Sequence, residues 1–293
     1  VYVYVAQLWP QSLYSELDVQ SHLFQKILEK LSLHYYQKAD KLILPSPGMR
    51  KYFSDLLAVP DDRLPVVFPS PDSAYEQNVR NDNLLDQFAG SFNLVMFGDF
   101  DGQLSVSAII RVAERIRRGS ARKIRFLITG DSETIRELQR QAEQKGLHDY
   151  FYFEGEISPE QIGTYIHVAD ALIGVIRPEQ EYEYTIPHQI VNYLAAAKPL
   201  LISMGGAVRD LIRDSGCGFY SEPDDAEALY SNLLKLYRMT EQERCQMGLQ
   251  GLAYQQEYYN RDKHADLIAG ILRGEETPEI ADSDSTVKRL WDL

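Results

Sequence analysis

The sequence predicts an α/β protein: one complete doubly wound domain over residues 90–245, preceded by part of a second α/β domain over residues 1–85. Three observations carry this. From Phe92 onward, short apolar runs alternate with segments of helical periodicity. The runs are apolar throughout, as strands are when helices cover both faces of a parallel sheet. A polar stretch at residues 69–91, with Pro69, Pro71, Asp72, Asn78, Asn81, Asp82 and Asn83, reads as the linker between the two parts.

In chain order, residues 1–8 read as a strand and residues 14–38 as a helix, with Leu17, Leu23, Phe24, Ile27, Leu28 and Leu31 near 3.6-residue spacing. Apolar runs at 41–45 and 64–68 flank a helix near 48–57. In the regular part, strands are expected at 93–98, 124–129, 150–154, 171–176 and 199–203. The helices that follow them are expected near 105–118, 132–145, 159–168, 187–197 and 207–214. Residues 226–238 form a further amphipathic helix, and 240–272 read as helical with a break near Gly251. The helix over 246–272 is expected to return to the first domain, and the acidic residues 273–293 to form a mobile tail.

Composition narrows the function. With 44% hydrophobic and 25% charged residues the 293-residue chain is of globular type. No apolar run approaches the ~18 residues of a membrane-spanning helix. Thirty Lys plus Arg against 43 Asp plus Glu give a net charge of −13, which argues against a nucleic-acid partner. Cys217 and Cys245 provide no disulfide framework and point to a reducing compartment. The opening Val-Tyr-Val-Tyr-Val has no basic n-region and reads as a strand entered midway, so the chain is expected to be cut upstream.

Open parallel sheets bind ligands at the carboxyl ends of their strands, near the point where strand order reverses. The loop after the first regular strand, Phe97-Gly98-Asp99-Phe100-Asp101-Gly102-Gln103, pairs two glycines with a helix start, where backbone can approach an anion. Its spacing is not that of a dinucleotide fingerprint. Asp99 and Asp101 read as a solvated turn in preference to a metal pair, so no metal site is expected. A second loop, residues 176–189, ends at Pro187 before a small apolar helix, which leaves Thr185, His188, Gln189 and Asn192 at a ligand-facing end. His188 reads equally as a surface histidine at a helix start. The pair Gly205-Gly206 opens a third turn of ordinary kind.

At these residues the sequence resembles the retaining family-4 glycosyltransferases of the GT-B fold, notably bacterial sugar transferases of cell-surface polysaccharide synthesis. Ala6-Gln7-Leu8-Trp9-Pro10-Gln11-Ser12-Leu13 is similar to a DLWPESL segment. Ala39-Asp40-Lys41-Leu42-Ile43-Leu44-Pro45-Ser46-Pro47-Gly48-Met49 resembles the family's strand and turn with a final Gly-Met. Gly98 to Gln103 is similar to GNIG.AQ, and Phe153-Glu154-Gly155 to f.G. Ile186-Pro187-His188-Gln189-Ile190-Val191-Asn192-Tyr193-Leu194-Ala195 aligns with PSKLLEYLA.

The resemblance implies a GT-B-like chain, with a complete Rossmann-like domain and a partial N-terminal Rossmann-like domain on the acceptor side. It implies transfer of a sugar from a nucleotide-diphosphate donor, UDP- or GDP-linked, to a glycan or lipid-linked acceptor, with no metal and no resident cofactor. Gly98, Asp99, Gly102 and Gln103 would contact the diphosphate, and Gly155 and Glu156 the nucleobase. Asn192 stands at the ribose-binding Glu position, Tyr184 at its partner eight residues before with Glu183 adjacent, and Gln189 at a phosphate-binding Lys position. Arg177 or His188 would restore the positive charge. No catalytic residue is assigned. These departures also suit a second reading, a glycosyltransferase-like subunit or scaffold with a decayed donor site. The expected location is cytoplasmic, at the inner membrane face when a further segment or partner attaches it.

Overall fold

The computed structural model describes residues 1–16, 21–100, 102–119, 123–178 and 184–275. The chain divides into two compact units. The first comprises Val1–Ser70, Glu179–Ile186 and Tyr258–Leu293; the second comprises Pro71–Pro178 and Pro187–Glu257.

In the first unit, β1 (Tyr2–Tyr4) runs parallel to β2 (Lys41–Ile43), with Val3 opposite Leu42. The expected single helix over 14–38 is two, α1 (Gln11–Glu16) and α2 (His22–Lys38), with Leu17 outside the described residues. Helix α3 (Pro47–Leu57) starts where Ser46 Oγ accepts the Met49 N–H at 3.1 Å, with Pro47 in the first turn, where a missing N–H costs nothing. The apolar run at 64–68 is not a strand. Pro65 interrupts it and Pro69 follows it, and only Val66 forms a parallel bridge, to Leu44. Leu8, Leu42, Leu44, Met49, Phe53 and Leu64 make the core of this unit, and Ile271 packs with Ile43 and Val67 from the last helix.

The second unit opens inside the stretch expected to be a linker. A 3₁₀ turn at Ser73–Glu76 buries Tyr75, and α4 (Asp82–Phe88) buries Phe88, so two aromatics anchor this polar segment to the domain. Then come β3 (Phe92–Phe97), α5 (Val106–Arg118), β4 (Ile124–Thr129), α6 (Glu133–Gln144), β5 (Phe151–Gly155) and α7 (Pro159–Val168). The second half contains β6 (Ala171–Val175), α8 (His188–Ala195), β7 (Leu200–Ser203) and α9 (Ala207–Ser215). A strand that sequence reasoning passed over, β8 (Gly218–Ser221), and α10 (Ala226–Arg238) complete it. The six strands are all parallel in the order β5-β4-β3-β6-β7-β8, so the order reverses between β3 and β6. Every residue of β3, β6 and β7 is buried, as continuous apolar runs require.

Helix α11 (Glu241–Tyr258) passes straight through Gly251, where a break was expected. A side chain at Gly251 would stand 2.9 Å from Cys217 Cβ, and one at Gly248 would stand 2.1 Å from the Ala197 carbonyl oxygen. The glycines serve close approach. The break falls at Asn260, whose Oδ1 accepts the Lys263 N–H and caps α12 (Arg261–Arg273). From Tyr258 onward the chain belongs to the first unit, and residues 276–293, most of the expected tail, lie outside the described residues.

Candidate donor site

The loop after β3 and the chain leaving β6 flank the reversal of strand order, and backbone bonds tie them together. The Ser105 N–H donates to the Val175 carbonyl at 2.9 Å, and the Arg177 N–H to the Gln103 carbonyl at 2.8 Å. The Arg177 guanidinium donates to the Gly102 carbonyl at 3.0 Å and to Gln103 Oε1 at 3.2 Å. Gly102, Gln103 and Arg177, named separately from the sequence, therefore form one cluster. Among the described residues Arg177 has no carboxylate within ion-pair distance.

The loop holds its shape through three left-handed residues, Gly98 (φ 66°), Phe100 (φ 55°) and Gly102 (φ 81°). For Phe100 that conformation is costly, and burial offsets the cost. Its ring meets Tyr193 edge-on at 6.1 Å and lies under Gly174, where a Cβ would come within 2.9 Å. Thus Phe100 anchors the turn and Asp99 is partly exposed beside it, while Asp101 lies outside the described residues. No group of three His, Cys, Asp or Glu among the described residues is placed to hold a metal ion. Gly155 ends β5 at φ 82°, its carbonyl accepting the Gly130 N–H, and Glu156 beyond it is exposed.

The start of α8 is engaged by the second unit's own chain. Asn192 is 6% exposed, and its Oδ1 accepts the Asp72 N–H at 2.8 Å. Gln189 Nε2 donates to Tyr75 Oη at 2.9 Å. The Tyr75 ring meets Phe97 edge-on at 5.2 Å, and burial pushes its phenol up to about 12. Behind them Tyr193 Oη accepts the Phe97 N–H at 3.0 Å, and its burial raises the phenol further. Asn192 is left its amide N–H₂ to offer a ligand, a donor where a carboxylate would accept. His188 is exposed at the first residue of α8.

Tyr184 and Thr185 belong to the first unit, not to the one that carries Asn192. There the Tyr184 carbonyl accepts Ser46 Oγ–H at 2.7 Å, and its ring packs on Tyr52 at 5.5 Å. Glu183 lies outside the described residues. Sequence reasoning missed Asp72 and Tyr75, which it left in the linker. It also missed Asp224, whose carboxylate accepts Ser105 Oγ–H at 2.6 Å from a strained φ of 59°. A buried aromatic within a polar stretch was the available signal for Tyr75; nothing local marks Asp224. Beside Gly102 and Arg177 opens a pocket of about 780 Å³, walled on one side by α6.

A family model of glycosyl transferases group 1 matches residues 91–239, just over half of the chain, and the chain belongs to that family. HepE of Anabaena, solved with UDP and glucose, superposes with a TM-score of 0.72 at 15% identity, over 93% of this chain and 71% of its own. Sucrose-phosphate synthase of Thermosynechococcus elongatus gives 0.71 at 17% identity, over 90% and 66%. A glycosyltransferase of Rickettsia africae gives 0.67 at 14%, over 83% and 66%. The fold is therefore α/β and GT-B-like, with a Rossmann-like domain in the second unit. The chain spans about two thirds of the length of these structures, and no curated protein matches its sequence.

Proposed function

We propose that the protein transfers a sugar from a nucleotide-diphosphate sugar to a glycan or lipid-linked acceptor, and that the second unit holds the donor. One observation carries the reading: at the reversal of strand order, Arg177 is fixed against Gly102 and Gln103 with no carboxylate partner among the described residues. When the bond from the anomeric carbon to the diphosphate oxygen breaks, negative charge grows on the leaving diphosphate. A preorganised guanidinium and the N–H groups opening α5 would stabilise it. The bound UDP of HepE supports a UDP-type donor, with GDP the alternative base. Asp99 and the residues beyond Gly155 would border the nucleotide, His188 would add charge at the mouth, and the chemistry needs no metal.

Among the described residues no helix is long and apolar enough to cross a membrane. The reading places the reaction in the cytoplasm, at the inner membrane face for a lipid-linked acceptor. A second reading, a non-catalytic subunit, draws on the engagement of Asn192 and Gln189 by Asp72 and Tyr75. Calorimetric titration with UDP, GDP and their sugars separates the two. A working donor site binds one of them and loses about tenfold or more in affinity on Arg177→Ala. Absence of any nucleotide binding favours the subunit.

A further inference from the structure

The pocket beside Arg177 has a chemistry of its own. Glu133, Arg136, Glu137, Arg140 and Gln141 recur at helical spacing and place one face of α6 along it, about 12 Å of helix by the usual rise. The opposite wall is the start of α5, with the exposed Ser107. Apart from Glu133, the charges on the α6 face are already matched. Arg140 grips Glu137 with two bonds of 2.7 and 2.6 Å, Gln141 donates to the same carboxylate at 2.6 Å, and Arg136 pairs with Asp131 at 2.7 Å.

Guanidiniums so paired are poor traps for an anion, which would have to displace or lie beside a carboxylate. Their unused N–H groups, the carboxylates' remaining lone pairs and the hydroxyls of Ser107 and Thr134 form a mixed lattice of donors and acceptors. Such a lattice suits a neutral ligand rich in hydroxyls, each of which donates and accepts at once. At about 780 Å³ the pocket lies in the range of small-molecule sites.

We infer that this groove between α5 and α6 is a binding site for a neutral oligosaccharide, adjoining the proposed donor site and sharing Gly102, Arg177 and the start of α5 with it. A glycan held there would keep a sugar polymer on the protein beside the donor, so the site would raise local acceptor concentration without taking part in bond breaking.

The test is calorimetric titration of the whole chain with maltotetraose, cellotetraose and chitotetraose, run beside UDP. The expected result is millimolar or tighter binding of one of them, weakened about tenfold or more by Glu137→Gln and abolished by Thr134→Trp, which fills the groove from the start of α6. UDP affinity should be unchanged in both variants, which also shows that they fold. Glycan binding without UDP binding upholds the groove and defeats the donor reading. UDP binding with no response to any neutral oligosaccharide overturns the groove alone. Glycan binding that survives both substitutions, or preference for a hyaluronan tetrasaccharide, also overturns it.

Discussion

The two units treat apolar surface in opposite ways. In the second, six parallel strands are covered by helices, and Leu94, Phe126, Leu127, Leu172 and Ile173 have no exposed surface. In the first, two strands form the whole sheet among the described residues. There Tyr2 and Tyr4 of β1 are exposed, and α2 turns Leu23, Ile27, Leu31 and Tyr35 outward at successive turns. The inner face of α2 carries the buried Ser32 and Tyr36, while much of the helix's apolar side chain faces outward. A domain that buries its own pattern is stable by itself, whereas a two-stranded sheet needs further cover.

That contrast can be broken most directly in the core of the second unit. Phe126→Ala should cost about 3–5 kcal/mol, read as a lower denaturation midpoint, because no neighbour of a fully packed central strand can collapse into the space. Gly248→Ala should cost about 1–3 kcal/mol in the same measurement, since the new Cβ would meet backbone at Ala197. An effect below a few tenths would mean that α11 is not seated as described.

Asn192→Ala should remove the acceptor for the Asp72 N–H and cost about 1–3 kcal/mol, with hydrogen exchange accelerating at Asp72 and Tyr75. The first unit should respond to mild acid. His264 is partly buried with Nδ1 unpartnered, and burial holds its pKa below 6.5. The unfolded chain then takes up the proton first, so stability is full above 6.5 and falls as pH drops through the lowered folded value. Fluorescence of Trp9, recorded in a Trp291→Phe background, should report this loss, and His264→Gln should flatten it. Smallest of all, Ile27→Ser on α2 should change stability by less than about 0.5 kcal/mol while reducing self-association in light scattering.

What the sequence disclosed follows the range of the interactions. The strands β3, β4 and β6 were readable within a residue because burial on both faces leaves a purely apolar run. Strand β8 was not, since Gly-Phe-Tyr-Ser is short, half-buried and set behind a glycine turn. Gly251 was misread because glycine marks both a broken helix and a close contact, and only the position of Cys217 decides between them. At the candidate site, the glycine loop and Arg177 stood out as loop chemistry. The bond from Asp72 to Asn192 joins residues 120 positions apart and leaves no local trace.

The donor's diphosphate is expected at the cluster of Gly102, Gln103 and Arg177. A crystal structure of the chain soaked with UDP tests it. Phosphate oxygens should lie within hydrogen-bond distance of the Arg177 guanidinium and the backbone opening α5. A nucleotide bound elsewhere, with Arg177 still turned to Gly102 and touching no phosphate, contradicts it.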